Sequence, residues 1–143
     1  MRNEIKGIAE ILGEEKILHH KLINIKDLEE LTKEGLPKKA LQRLAGYLAE
    51  DKLTSEVIYK IVPEATYKRK AKLSQEVSEK TVRIARLLNL ASYILGNKEN
   101  AIIFLTKRHS LLDRRKPYEA ALSEIGARRV EDILWKIFYG IPA

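Results

Sequence analysis

At 143 residues, 45% of them hydrophobic, the chain is long enough for one domain or for two small helical lobes sharing a hinge, and too apolar to be disordered. The absence of cysteine excludes disulfides and thiolate metal sites, and no apolar run approaches the ~20 residues that span a bilayer. The opening stretch MRNEIKGIAEILGEEK carries acids, unlike a secretory signal, so the expected location is cytoplasmic with no membrane contact, and a net charge of +7 favours a polyanionic partner.

Helical periodicity recurs along the chain and period-2 strands are absent, which predicts an all-α fold. Asn3 to Leu12 reads as a short helix closed by Gly13, and the stretch HHKLIN stays unassigned. Asp27 is expected to cap a helix with Leu28 and Leu31 inward, ended by Gly35. Pro37 opens the helix of Leu41, Leu44 and Leu48. Thr54 is the expected cap of a helix presenting Val57, Ile58 and Ile61, and Pro63 stops it. A short helix then runs from about Glu64 to Ala71.

The clearest element starts at the N-cap Ser74 and ends at Gly96. Val77, Thr81, Ile84, Leu88, Ala91 and Leu95 form one stripe, with Leu87, Leu90 and Ile94 beside it. Two apolar stripes imply burial on two sides, either within the chain or along a dimer seam. Asn97 caps a helix carrying Ala101, Ile102 and Leu105, and a basic irregular segment covers Thr106 to Lys116. Pro117 opens a helix with Tyr118, Ala121, Leu122 and Ile125 inward, closed by Gly126. Val130, Ile133, Leu134 and Ile137 line a last helix that stops at Gly140. Burying each large apolar side chain stabilises by roughly 1.5–3 kcal/mol.

Thr54 to Lys72 reads as helix, tight turn, short basic helix, the pattern of a helix-turn-helix. With Tyr67 and Ala71 inward, Ala65, Lys68, Arg69 and Lys72 form the opposite face, flanked by Thr66 and Lys70. These six residues are the candidate DNA-binding set. The pattern alone leaves open a solvated basic face.

The second half carries a more specific signal. Arg83-Ile84-Ala85-Arg86, Gly96-Asn97, Ala101, Pro117, Gly126 with Val130, and the ending Gly140-Ile141-Pro142-Ala143 follow one another in a definite order and spacing. In this the chain resembles the toxin-binding domain of the Xre/MbcA/ParS antitoxins, partners of RES-domain toxins. Upstream, Gly35-Leu36-Pro37, Pro63 to Lys70 and Leu73-Ser74 resemble the family's helix-turn-helix, so the likeness covers roughly residues 27 to 143. Two departures stand out: Phe104 where the family usually has Trp, and Asp113-Arg114 where it has a glycine pair. The second leaves the shape of the Lys107–Lys116 loop open.

The resemblance implies a helix-turn-helix DNA-binding domain over 1–73, then a long helix and small toxin-binding domain over 74–143. It implies the antitoxin of a type II toxin–antitoxin system, a homodimer within a larger toxin–antitoxin complex. Such a protein blocks the active site of an NAD-degrading RES toxin and represses its own promoter. The toxin-binding residues it implies are Pro117, Gly126, Val130 and Gly140, Ile141, Pro142 and Ala143. Arg128 and Arg129 join them on chemical grounds, because adjacent cations near a helix start oppose its dipole and suit an acidic partner, with simple solvation of the pair as the competing reading. A stand-alone helix-turn-helix regulator whose C-terminal half only dimerises remains the rival reading, and a pure interaction protein is a second.

Catalysis is not expected. His19 and His20 would point about 100° apart on a helix, and no phosphate-cradling glycine loop, nucleophile elbow or two-histidine metal motif is present. No cofactor and no metal site follow from the sequence.

Overall fold

The computed structural model describes residues 4–50 and 52–142; Asn3 and Ala143 lie outside that range. Its regular structure is helical throughout, with two isolated backbone bridges, and no described helix is long and apolar enough to cross a membrane. The chain divides into two compact units, Met1–Ala85 and Arg86–Ala143. That division falls within the long helix α7 (Gln75–Leu95), later than the boundary expected at Ser74.

In the first unit, α1 (Glu4–Leu12) and α2 (Glu14–Leu18) bury Ile5, Ile8, Ile11, Leu12 and Leu18. Both pack on α4 (Lys38–Leu48), whose Leu41 and Leu44 are fully enclosed, and Arg43 donates to the Glu10 carbonyl at 3.3 Å. The N-terminal stretch therefore completes the first core. Helix α3 (Ile25–Glu34) is capped by Asn24, not by Asp27. The Asn24 side chain accepts from the Asp27 N–H at 3.0 Å, and the Asp27 carboxylate accepts from the N–H groups of Asn24 and Ile23. Asp27 thus occupies the reciprocal position of a capping box, which moves the start of the helix upstream. Similarly, Thr54 lies inside α5 (Thr54–Ile61), and the cap is Leu53, whose N–H is satisfied by the Glu56 carboxylate at 3.2 Å.

Helix α6 (Glu64–Arg69) is shorter than its expected span. Its exit is set by pairing with a distant turn: the Leu73 N–H donates to the Leu36 carbonyl at 2.9 Å, and Lys72 bridges Pro37. The Leu36 N–H in turn donates to Ser78 Oγ at 2.8 Å, tying the turn to α7. Gly35 has φ +100°, and a Cβ there would collide with the Leu73 carbonyl oxygen. Lys70 is therefore extended, and Ala71 lies outside α6 and exposed instead of facing inward beside Tyr67.

Ser74 caps α7 as expected, accepting from the Val77 N–H at 3.2 Å. Val77, Thr81, Ile84, Leu88 and Ala91 of one stripe and Leu87 and Leu90 of the other are buried within a single chain.

The second unit adds α8 (Lys98–Thr106), capped by Asn97, a 3-10 turn (Ser110–Leu112), α9 (Pro117–Ala120) and α10 (Glu124–Phe138). The expected helix from Pro117 to Ile125 is broken. Ser123 starts α10 by accepting from the Gly126 N–H at 3.0 Å, which leaves Ile125 exposed at 73%. Gly126 does not close a helix. It sits in the first turn of α10, where a Cβ would collide with the Ala120 carbonyl oxygen. Hydrogen alone at that position lets α9 and α10 approach.

Candidate nucleic-acid and partner interfaces

The first candidate surface is built around Tyr67. Its hydroxyl accepts from Gln42 Nε2 at 2.7 Å, its ring meets Tyr59 edge-on at 6.1 Å, and Lys38 Nζ stands 4.6 Å above the ring centroid. Lys38 also donates to the Lys70 carbonyl at 3.0 Å, close to the end of α6 where carbonyls lack helical partners. One aromatic side chain thus fastens α6 to α4 and α5. Tyr67 is visible in the sequence, but Gln42 and Lys38 are not, because they are 25 and 29 residues away from it.

With Tyr67 held, Ala65, Lys68, Arg69 and Lys70 are exposed and Thr66 is half-buried. Lys72 is exposed but lies beyond the helix, in the segment bridged to Pro37, so it does not share a helical face with Lys68 and Arg69 as projected. Lys68 is paired to Glu64 one turn earlier at 2.6 Å, and this hydrogen bond and charge hold its pKa above the usual lysine value. An anionic ligand at Lys68 must therefore compete with Glu64, whereas Arg69 faces solvent in the last turn. Short cationic helices of this kind suit phosphate contacts and base-edge readout in a major groove.

In the second unit, the expected partner-facing residues separate into two groups. Pro117, Gly126 and Val130 are buried, Gly126 at the close approach of α10 to Ala120 of α9, so they offer no surface to a partner. Arg129 is not free either: it donates to the Leu111 carbonyl at 2.7 Å and pairs with Asp113 at 3.1 Å. Arg128, Gly140, Ile141 and Pro142 are exposed. Gly140 takes φ +68°, and the Ile141 N–H folds back onto the Lys136 carbonyl at 2.8 Å, closing the end of α10 as a Schellman turn.

The loop at Asp113-Arg114 resolves its shape with two consecutive left-handed residues, φ +59° and +63°. Those are angles that a glycine pair takes without cost. Three arginines hold them here: Arg108 donates to the Arg114 carbonyl and Arg115 to the Leu112 carbonyl, each at 2.9 Å, beside the Arg129 contacts.

Fold and surface together define a helix-turn-helix protein with a second, appended helical unit. Residues 27–86 match the antitoxin Xre-like helix-turn-helix domain, and residues 90–140 match the antitoxin Xre/MbcA/ParS C-terminal toxin-binding domain. The chain belongs to the Xre/MbcA/ParS antitoxin family. No curated protein matches it significantly.

Proposed function

We propose that this chain is the antitoxin of a type II pair whose toxin is a RES-type NAD-degrading enzyme, and that it represses its own promoter. The observation that carries the reading is the order of the two matched domains in one chain, a helix-turn-helix followed by a toxin-binding unit. On this reading α5 and α6 present Ala65, Thr66, Lys68, Arg69 and Lys70 to the operator, with Lys72 reaching an adjacent phosphate. The division of labour runs between 1–73 and 74–143, although the packing of the first unit continues to Ala85. Helix α6 has six residues, so it spans only about 9 Å of groove. So short a reader supports a homodimer on a two-fold operator.

The exposed residues Arg128, Gly140, Ile141 and Pro142, with Ala143 beyond them, seat on the toxin, and the tail closes its NAD site. Pro142 restricts the tail before binding, which lowers the entropy lost on docking. The toxin and the promoter are both cytoplasmic on this view, and the antitoxin acts without catalysis. The test is NAD consumption by the purified toxin against rising antitoxin, full-length or lacking 140–143. Weaker inhibition by the truncated chain, with promoter binding unchanged, is expected. Identical curves would remove the tail from the mechanism.

A further inference from the structure

The second unit ends in an aromatic cluster that its packing leaves partly exposed. Arg86 of α7 pairs with Glu131 of α10 at 2.7 Å, and seven residues further along each helix Tyr93 stacks on Phe138 at 6.0 Å. The two helices therefore run side by side in the same direction on this face. Trp135 meets Phe138 edge-on at 5.3 Å, and Tyr139 lies 5.0 Å from Phe138. These rings hold one another, yet Tyr139 is 69% exposed, Tyr93 50% and Phe138 45%, and Ile141 beside them in sequence is 53% exposed.

We propose that this face, formed by Tyr93, Trp135, Phe138 and Tyr139, is the apolar anchor on which the toxin docks. The proposal rests on the antitoxin reading above and names the surface that reading leaves unspecified. Three observations select the toxin as occupant. All four rings fall within 90–140, the span matched by the toxin-binding domain. The face is continuous with the tail, because the Ile141 N–H is bonded back to the Lys136 carbonyl between Trp135 and Phe138. The rings are already packed edge and face, so little rotamer entropy is lost on docking, and Trp and Tyr are the residues that dominate binding energy in protein interfaces. The matching surface on the toxin is an apolar cleft with acceptors for the indole N–H and the phenol hydroxyls.

The experiment uses the full chain and the purified RES-type toxin of the proposed pair. Phe138→Ser/Tyr139→Ser and, separately, Tyr93→Ser are compared with wild type, with Ile103→Ser as an exposed apolar control in the same unit. Toxin affinity is measured by calorimetry, self-association by sedimentation velocity, and fold by circular dichroism and promoter binding. Toxin affinity is expected to fall roughly 30-fold or more in the double variant and severalfold in Tyr93→Ser, with self-association, promoter binding and the control unchanged. Wild-type affinity in both folded variants would overturn the anchor while leaving the antitoxin reading standing. Loss of self-association with unchanged toxin affinity would overturn it in favour of a second copy as occupant. Failure of the wild-type chain to bind the toxin would overturn both readings.

Discussion

Gly126 offers the sharpest test of the packing in the second unit. Replacing a helical glycine by alanine ordinarily stabilises by up to about 1 kcal/mol, because the unfolded chain loses freedom. Here the added Cβ would collide with the Ala120 carbonyl oxygen and stand 2.9 Å from Ser123 Oγ, the atom that caps α10. The obstructing atom is backbone and cannot swing aside, so the overpacking cost belongs at or above the upper end of the usual ~1–3 kcal/mol. The balance is a net destabilisation of about 2 kcal/mol for Gly126→Ala, a factor of roughly 30 in the folding equilibrium. A small unit loses roughly 4–8 °C of melting temperature per kcal/mol. The chain contains one tryptophan, and Trp135 lies on α10, so its fluorescence follows the second unit during urea unfolding. The expected record is an early fluorescence transition with promoter binding retained in the absence of denaturant. A variant as stable as wild type, or more so, would show that α9 and α10 do not meet closely at this residue.

Arg69→Ala is expected to weaken promoter binding by ~1–3 kcal/mol if Arg69 reads a base edge, or to lower the salt slope by about one if it contacts phosphate; a mobility-shift titration at several salt concentrations separates the two. Tyr67→Phe removes the acceptor for Gln42 and should lower promoter affinity severalfold with little change in salt slope, since it repositions α6 without removing a charge. Arg114→Gly should stabilise the second unit by about 0.5–1 kcal/mol in urea unfolding, because it relieves a left-handed arginine.

The helical fold was legible in the sequence because its signals are local. The stripes of α7, the caps Ser74 and Asn97, and the stop at Gly140 each rest on residues within a turn or two of one another. The misplacements have a common cause, which is that distant partners decided them. Lys72 fits the face of a longer α6, but Leu36 and Pro37 draw the chain out of the helix first. Gly126 has the position of a helix end, and only its distance to Ala120 identifies it as a packing glycine. Arg129 has the look of a free cation until the carbonyl of Leu111 is placed beside it. The aromatic face escaped notice for a different reason. Trp135, Phe138 and Tyr139 alternate with the buried Ile133 and Leu134 in one amphipathic helix, and periodicity alone does not separate a ring that enters the core from one that stays outside.

The Asp113-Arg114 turn also bears on the order in which the second unit assembles. A glycine pair can fold into such a turn by itself, early and locally. An Asp-Arg pair resists those angles, and one of the side chains that hold it, Arg129, arrives from α10. The contacts of the turn are therefore complete only with α10 docked, beside the local ones from Arg108 and Arg115. Hydrogen exchange at the amides of residues 113–115 should be faster than in the helices on either side.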